Sequence, residues 1–154
     1  MYKEYKNKLA PTSSDIEGPF YKKDAPFRTD LVENPTLVVS GIVKDTEGNP
    51  VNALLDFWQA DPQGVYDNDG FNLRGRQETQ NGQYHLNTVH PGDYQIDEHE
   101  FRCAHIHVKI TAEGYKPLTT QLYFDNDPYN ATDQWFDAKR IIRNNTFNFI
   151  LEKE

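Results

Sequence analysis

The sequence predicts an all-β protein, an antiparallel β-sandwich with an N-terminal arm and long active-site loops. Runs rich in β-branched and aromatic residues recur at short intervals between turn signals, the spacing of a sandwich. The segment Arg102-Cys103-Ala104-His105-Ile106-His107-Val108-Lys109-Ile110 alternates polar and apolar residues with a period of two. Only Asp133 to Arg143 offers a short helical stretch.

Taken in order, residues 1–34 form an arm of little periodicity that wraps the sandwich, anchored by Phe20, Tyr21 and Phe27, and residues 35–154 form the sandwich itself. Leu37 to Lys44 and Val51 to Gln59 flank the turn Asp45-Thr46-Glu47-Gly48-Asn49-Pro50 and predict a hairpin. Further strands are expected at Gln83 to Thr88, Cys103 to Ala112, Leu118 to Phe124 and Thr146 to Glu152, with breaks at Gly82, Pro91-Gly92, Glu113-Gly114 and Asp127-Pro128. Two stretches resist the pattern: Ala60 to Asn81, rich in Asp, Asn, Gly and Arg, and the acidic Asp93 to Glu100. Loops of that length inside a small domain are commonly sites.

The 154 residues are expected to form one domain, able to remove roughly two-thirds of its unfolded surface from water. The single cysteine, Cys103, forms no intramolecular disulfide and is expected to be a buried, inert thiol. Met1 to Leu9 is charged and tyrosine-rich without an apolar core, and no stretch approaches a membrane span, so a cytoplasmic protein is expected. A net charge of −8 has the wrong sign for nucleic acid and for anionic membranes, and excludes both as partners. An acidic substrate would have to be drawn in by local cations such as Arg74, Arg76 or Arg102.

His105 and His107 fall on one face of their strand, close enough for two neutral nitrogens to share a metal ion. Alone the pair is also what a hydrogen-bonded core or a surface strand carries. The surrounding motifs decide its meaning: Glu17-Gly18-Pro19-Phe20-Tyr21; Asp56-Phe57-Trp58-Gln59-Ala60-Asp61 leading to Gly64-Val65-Tyr66; Leu73-Arg74-Gly75-Arg76 with Gly82-Gln83-Tyr84; Pro91-Gly92-Asp93-Tyr94; Arg102 to Val108; and Thr120-Gln121-Leu122-Tyr123-Phe124. In this order they resemble the intradiol ring-cleavage dioxygenases, non-haem ferric enzymes that open catechols between the two hydroxyl-bearing carbons.

The resemblance implies an Fe(III) held by Tyr66, Tyr94, His105 and His107. Phenolate is a hard anionic donor suited to Fe(III), and a trivalent ion depresses a phenol pKa far below ~10. It further implies a small catechol-like substrate and O2 as partners, a cis,cis-muconate-type diacid as product, and no organic cofactor. Tyr94 would be the ligand that leaves and takes up a substrate proton. Arg102 would stabilise charge developing on the ring, Gln121 would stand near metal and substrate, and Phe20 or Tyr21 would shape one wall of the pocket. Cys103 stands where many members have proline. The helical N-terminal region of the catechol and hydroxyquinol branches has no counterpart here, which leaves a homo-oligomer open and offers another reading, a relative whose open pocket takes an unusual diol or a larger polyphenol. Read from the residues alone, a non-catalytic sandwich of transthyretin-like or carbohydrate-binding type is the rival. Trp58 and Phe57 then belong to the core, Arg74 and Arg76 to solvated loops paired with Asp61, Asp67 or Asp69, and His85, His90 and His99 to the surface.

Overall fold

The strand carrying the two histidines pairs on both edges and is buried on both faces, and the architecture follows from that. In the computed structural model, which describes residues 8–154, β1 spans Leu37–Asp45, β2 Leu54–Gln59, β3 Arg74–Glu78, β4 Gln83–Thr88 and β5 Tyr94–Gln95. Then come β6 Phe101–Arg102, β7 His105–Thr111, β8 Leu118–Phe124, β9 Ile141–Ile142 and β10 Phe149–Leu151. One sheet has the order β3-β2-β7-β8-β9, the other β10-β1-β4, and β5-β6 forms a separate ribbon. Pairing is antiparallel except at two edges, where β9 runs parallel to β8 and β10 parallel to β1. The expectation for Met1 to Leu9 lies, over residues 1–7, outside the described residues.

The core lies between the sheets. Leu55 and Phe57 of β2, Ala104 beside β7, and Ile106, Val108 and Ile110 of β7 meet Val39 and Val43 of β1, Leu86 of β4 and Phe149 of β10. Alternation therefore turns His105, His107 and Lys109 outward, onto the other face of the five-stranded sheet. That face is covered as well. The arm lies across it, Asp15 N–H donating to Thr119 O (2.9 Å) and Gln121 Nε2 to Ile16 O (2.9 Å), with Asp15 and Arg140 in an ion pair of 2.8 Å.

Several expectations are corrected. Leu37 to Lys44 and Val51 to Gln59 flank a tight turn, yet β1 and β2 do not pair as a hairpin. Beyond the turn the chain crosses to the other sheet, where β2 pairs with β3 and β7. β3 lies within Ala60 to Asn81, expected to be loop. Its sequence Arg-Gly-Arg-Gln-Glu has no apolar alternation, and the strand is held by its ladder to β2 and by Arg28 N–H donating to Arg76 O (2.9 Å). Asp133 to Arg143 is not a helix but a looped segment with one 3-10 turn, Ala138–Arg140, that leads into β9. There Asp133 accepts from Trp135 N–H and Asp137 from Lys139 N–H, local bonds that compete with helical pairing. The Phe27 side chain does not anchor the arm: it is 61 % exposed, with the Arg76 guanidinium over its ring, and Phe27 holds the arm through its backbone bridge to Arg76.

Candidate active site

Three loops and one strand build the site. β7 presents His105 and His107, only 4 % and 3 % exposed. Tyr66 arrives on the loop after β2, which Asp61 organises: its Oδ1 accepts from the N–H groups of Gln63 and Val65, and its carbonyl from those of Gly64 and Gly92. The Gly92 bond ties this loop to the one carrying Tyr94. The two backbones pack so closely that a Cβ on Gly64, whose φ is +82°, would lie 2.2 Å from Asp93 O. A Cβ on Gly92 would lie 2.4 Å from Pro62 O.

The polar atoms converge. Tyr66 Oη lies 3.2 Å from His105 Nε2, which lies 3.1 Å from His107 Nε2. His105 Nδ1 is 2.8 Å from Cys103 O. A carbonyl only accepts, so Nδ1 carries the proton and Nε2 turns a lone pair toward its neighbours. Burial, and then the Arg102 charge, hold the His105 imidazolium down to about 4. Burial, with His105 and Arg102 next, holds His107 well below the ordinary range. Burial also pushes the Tyr66 phenol up.

These facts test the donor set against a metal. Two donors about 2.1 Å from one ion and at right angles to each other stand about 3 Å apart, which is the spacing from His105 Nε2 to Tyr66 Oη and to His107 Nε2. Neutral imidazoles and a phenol oxygen crowded together out of water are a poor arrangement for themselves and a good one around a cation, whose charge would also reverse the upward shift of the phenol. The donors fit. Tyr94 lines the same cavity, its ring centroid 6.0 Å from that of Tyr66. No cluster of three or more His, Cys, Asp or Glu suited to a metal occurs among the described residues, because half of this donor set is phenolic.

The cavity above these atoms has a volume of about 190 Å³ and is walled by Phe20, Tyr94, Ile96, Arg102 and Trp135, with Gly18 and Pro19 of the arm. Phe20 stacks on Tyr66, centroids 4.3 Å apart, and is fixed from behind by Arg74, whose Nη1 donates to Phe20 O. Arg74 is thus buried and braces the wall, and Arg76 likewise donates from Nε to Ala25 O (2.6 Å). Neither is a solvated loop charge.

Arg102 is held on three sides. Its Nε donates to Asp133 Oδ2 at 3.0 Å, its Nη2 to Gln121 Oε1 at 2.8 Å, and its guanidinium lies 4.7 Å from the Trp135 ring centre. Asp133 also accepts from Cys103 N–H and from the Cys103 thiol, whose pKa burial pushes up.

Of the residues expected at the site, Tyr66, Tyr94, His105, His107, Arg102 and Phe20 line one cavity. Two do not. Gln121 is fully buried beneath Arg102, bonded to it and to the arm, and touches the cavity only through Arg102. Tyr21 points behind Trp58, donates to Asp56 Oδ2 (2.9 Å) and carries Lys109 over its ring.

Trp58 was expected in the core with Phe57. It lies on the opposite face, stacked on His107 at 4.6 Å and 5°. The signal was available, since successive residues of a strand face opposite sides. Trp135 and Asp133 carried no comparable signal, because only the fold brings that loop to Arg102.

A β-sandwich with a tyrosine–histidine donor set under an aromatic cavity defines a dioxygenase domain, and a family model described as Dioxygenase matches residues 16–149. The chain belongs to the intradiol ring-cleavage dioxygenase family. It is 35 % identical to a chlorocatechol 1,2-dioxygenase of Rhodococcus opacus, over 79 % of this chain and 60 % of that one. It is 37 % identical to a catechol 1,2-dioxygenase of Candida albicans, over 83 % and 52 %. The chain spans about half to three-fifths of such curated relatives. Among solved structures it superimposes on the dioxygenase domain of a dioxygenase carbohydrate-binding protein fusion from Streptomyces sp. SirexAA-E, with TM-score 0.84 and 42 % identity over 94 % of this chain and 100 % of that one. It also superimposes on 3-chlorocatechol 1,2-dioxygenase of Rhodococcus opacus 1CP, with TM-score 0.85 and 29 % identity over 93 % and 73 %. Membership sets aside the transthyretin-like and carbohydrate-binding alternatives. Among the described residues no helix is long and apolar enough to cross a membrane.

Proposed function

We propose that this protein is a non-haem Fe(III) dioxygenase that opens a catechol-type diol between its two hydroxylated carbons to a cis,cis-muconate-type diacid. The observation that carries the reading is that Tyr66 Oη and His107 Nε2 each lie 3.1 to 3.2 Å from His105 Nε2 under a cavity sized for one ring.

Tyr66, His105 and His107 would hold the ion, with Tyr94 as fourth ligand. Bound there, Fe(III) supplies the electronic coupling that makes a catechol ring carbon reactive toward dioxygen. The rest belongs to the chain. Phe20, stacked on Tyr66, and Ile96 give the ring apolar walls that fix its plane and exclude water. Tyr94 is less buried than Tyr66 and borders both the cavity and the hollow beside it; held there as a phenolate, it would be the group to take a proton from a substrate hydroxyl. The Nδ1–H bond from His105 keeps its Nε2 lone pair turned into the site, and Trp58, stacked on His107, fixes the plane of that ring so that its Nε2 faces the same place.

Arg102 holds a fixed positive charge on the cavity wall, where negative charge on an opening ring is stabilised without reorganisation. Asp133 and Gln121 are positioning residues for it, and Tyr21 and Asp56 support Trp58 from behind. No nucleic-acid or membrane partner fits the net charge of −8.

The deciding experiment is the visible spectrum of iron-reconstituted protein, before and after catechol is added without oxygen. A broad tyrosinate-to-iron charge-transfer band that moves with catechol is expected. Protein that stays colourless after reconstitution would end this reading.

A further inference from the structure

Three hollows meet at the β5–β6 ribbon. The site cavity of about 190 Å³ is bordered by a larger one of about 630 Å³, and Ile96, Arg102 and Trp135 line both. On the other side a hollow of about 380 Å³ shares Phe20, Tyr66 and Tyr94 with the site. Sites that enclose a drug-sized molecule measure about 300–1,000 Å³. The inner cavity alone is too small for that, and the inner and larger cavities together are not.

The larger hollow differs in chemistry from the smaller neighbour. Phe101 and Tyr129 form a stacked platform in it, centroids 4.9 Å apart at 17°, and the Trp135 ring carries the Arg102 guanidinium. Flat rings bind such surfaces. The smaller hollow also borders Phe101 but lacks the Tyr129 face; its other rings belong to the site itself, and the rest of its lining is mainly polar, with Gln63, Asn68, Asp93 and Gln95 beside Val65. Charge sets a second restriction. Arg102 is the one arginine or lysine lining the larger hollow, and it is already paired with Asp133. The ribbon tip adds Asp97, Glu98 and Glu100 nearby. A carboxylate there would lose hydration and gain no free cation. Hydroxyl groups would find His99, Thr132 and Gln134.

We infer that the substrates are uncharged catechols bearing a second aromatic ring. The reacting ring occupies the inner cavity and the second ring passes between Ile96 and Trp135 into the larger hollow. This rests on the reading of the site given above and names its substrate class.

The test compares catechol, biphenyl-3,4-diol and 3,4-dihydroxybenzoate on the iron-loaded full chain, and measures their binding to the metal-free protein by calorimetry. Biphenyl-3,4-diol is expected to exceed catechol about tenfold in kcat/KM and to bind the metal-free protein about tenfold more tightly. The dihydroxybenzoate should fall about tenfold below catechol. Thr132→Trp, which fills the larger hollow, should reduce the biphenyl-to-catechol ratio about tenfold, whereas Val65→Trp in the smaller hollow should leave the ratio within about twofold. Catechol turned over while biphenyl-3,4-diol is refused overturns this inference alone. Failure to open any catechol overturns the site reading and this inference with it. If Thr132→Trp does not fold, the wild-type ratio and the metal-free affinities still decide.

Discussion

At the residue scale the site separates groups that would hold the ion from a group that would act on the ring. Tyr66→Phe removes a phenol oxygen and His107→Ala an imidazole nitrogen from the point where the donors converge. Both variants are expected to lose iron or its colour, measured as iron per chain and visible absorbance after reconstitution. Arg102→Ala leaves all four donors in place, so it should keep iron while kcat falls on the order of 10²-fold, the scale of losing a fixed charge-stabilising donor. Wild-type turnover in that variant would remove Arg102 from the reaction. That His105, His107, Tyr66, Tyr94 and Arg102 meet at one cavity was legible because motif order singles out each of them. Gln121 and Tyr21 were legible as residues but not in their positions, since both are one layer behind the cavity, and depth is set by packing that no motif records. Trp135 and Asp133 were hidden because their loop follows β8 and reaches Arg102 only in three dimensions.

At the scale of elements, the geometry depends on two loops and an arm being held against one sheet face. Gly64 is where the tyrosine loops touch. Alanine there must take a φ of +82° and place a methyl 2.2 Å from Asp93 O. Gly64→Ala is therefore expected to destabilise by about 2 kcal/mol or more and to lower iron content, read by thermal melting and metal analysis. The arm is fastened by Asp15, which pairs with Arg140 at 2.8 Å and accepts from Tyr123 Oη at 2.6 Å, both ion-pair side chains being nearly buried. Asp15→Ala leaves the buried Arg140 guanidinium with Asp137 at 3.6 Å as its remaining ion-pair partner and Tyr123 Oη without its acceptor on the arm, an effect on the order of 2 kcal/mol, and should open the arm to protease upstream of Phe20. Urea unfolding and limited proteolysis measure the two consequences. Strands with apolar alternation were legible. β3 was not, being a polar strand held by backbone pairing, and the expected helix at Asp133 to Arg143 failed because two aspartates bond their own backbone first.

At the scale of the whole molecule, the fold stores an arrangement that is unfavourable without a metal. In the metal-free protein both imidazoles are held neutral by burial, His105 down to about 4 against an unfolded value near 6.5. Below about pH 6.5 the unfolded chain then binds more protons than the folded one, so stability present above that pH is lost as pH falls toward 4. His105 alone accounts for about 3 kcal/mol across this window, and His107 acts in the same direction. A bound ion binds the folded chain far better than the unfolded one and must displace protons from the phenols, so it raises stability at neutral pH and is itself released by acid. Thermal midpoints from pH 7.5 to pH 4.5 should therefore fall for metal-free protein, and the gap between iron-loaded and metal-free samples should narrow as acid strips the ion. His105→Gln, which cannot take up a proton, should flatten the metal-free curve. An unchanged slope in that variant would show that the acid sensitivity arises elsewhere.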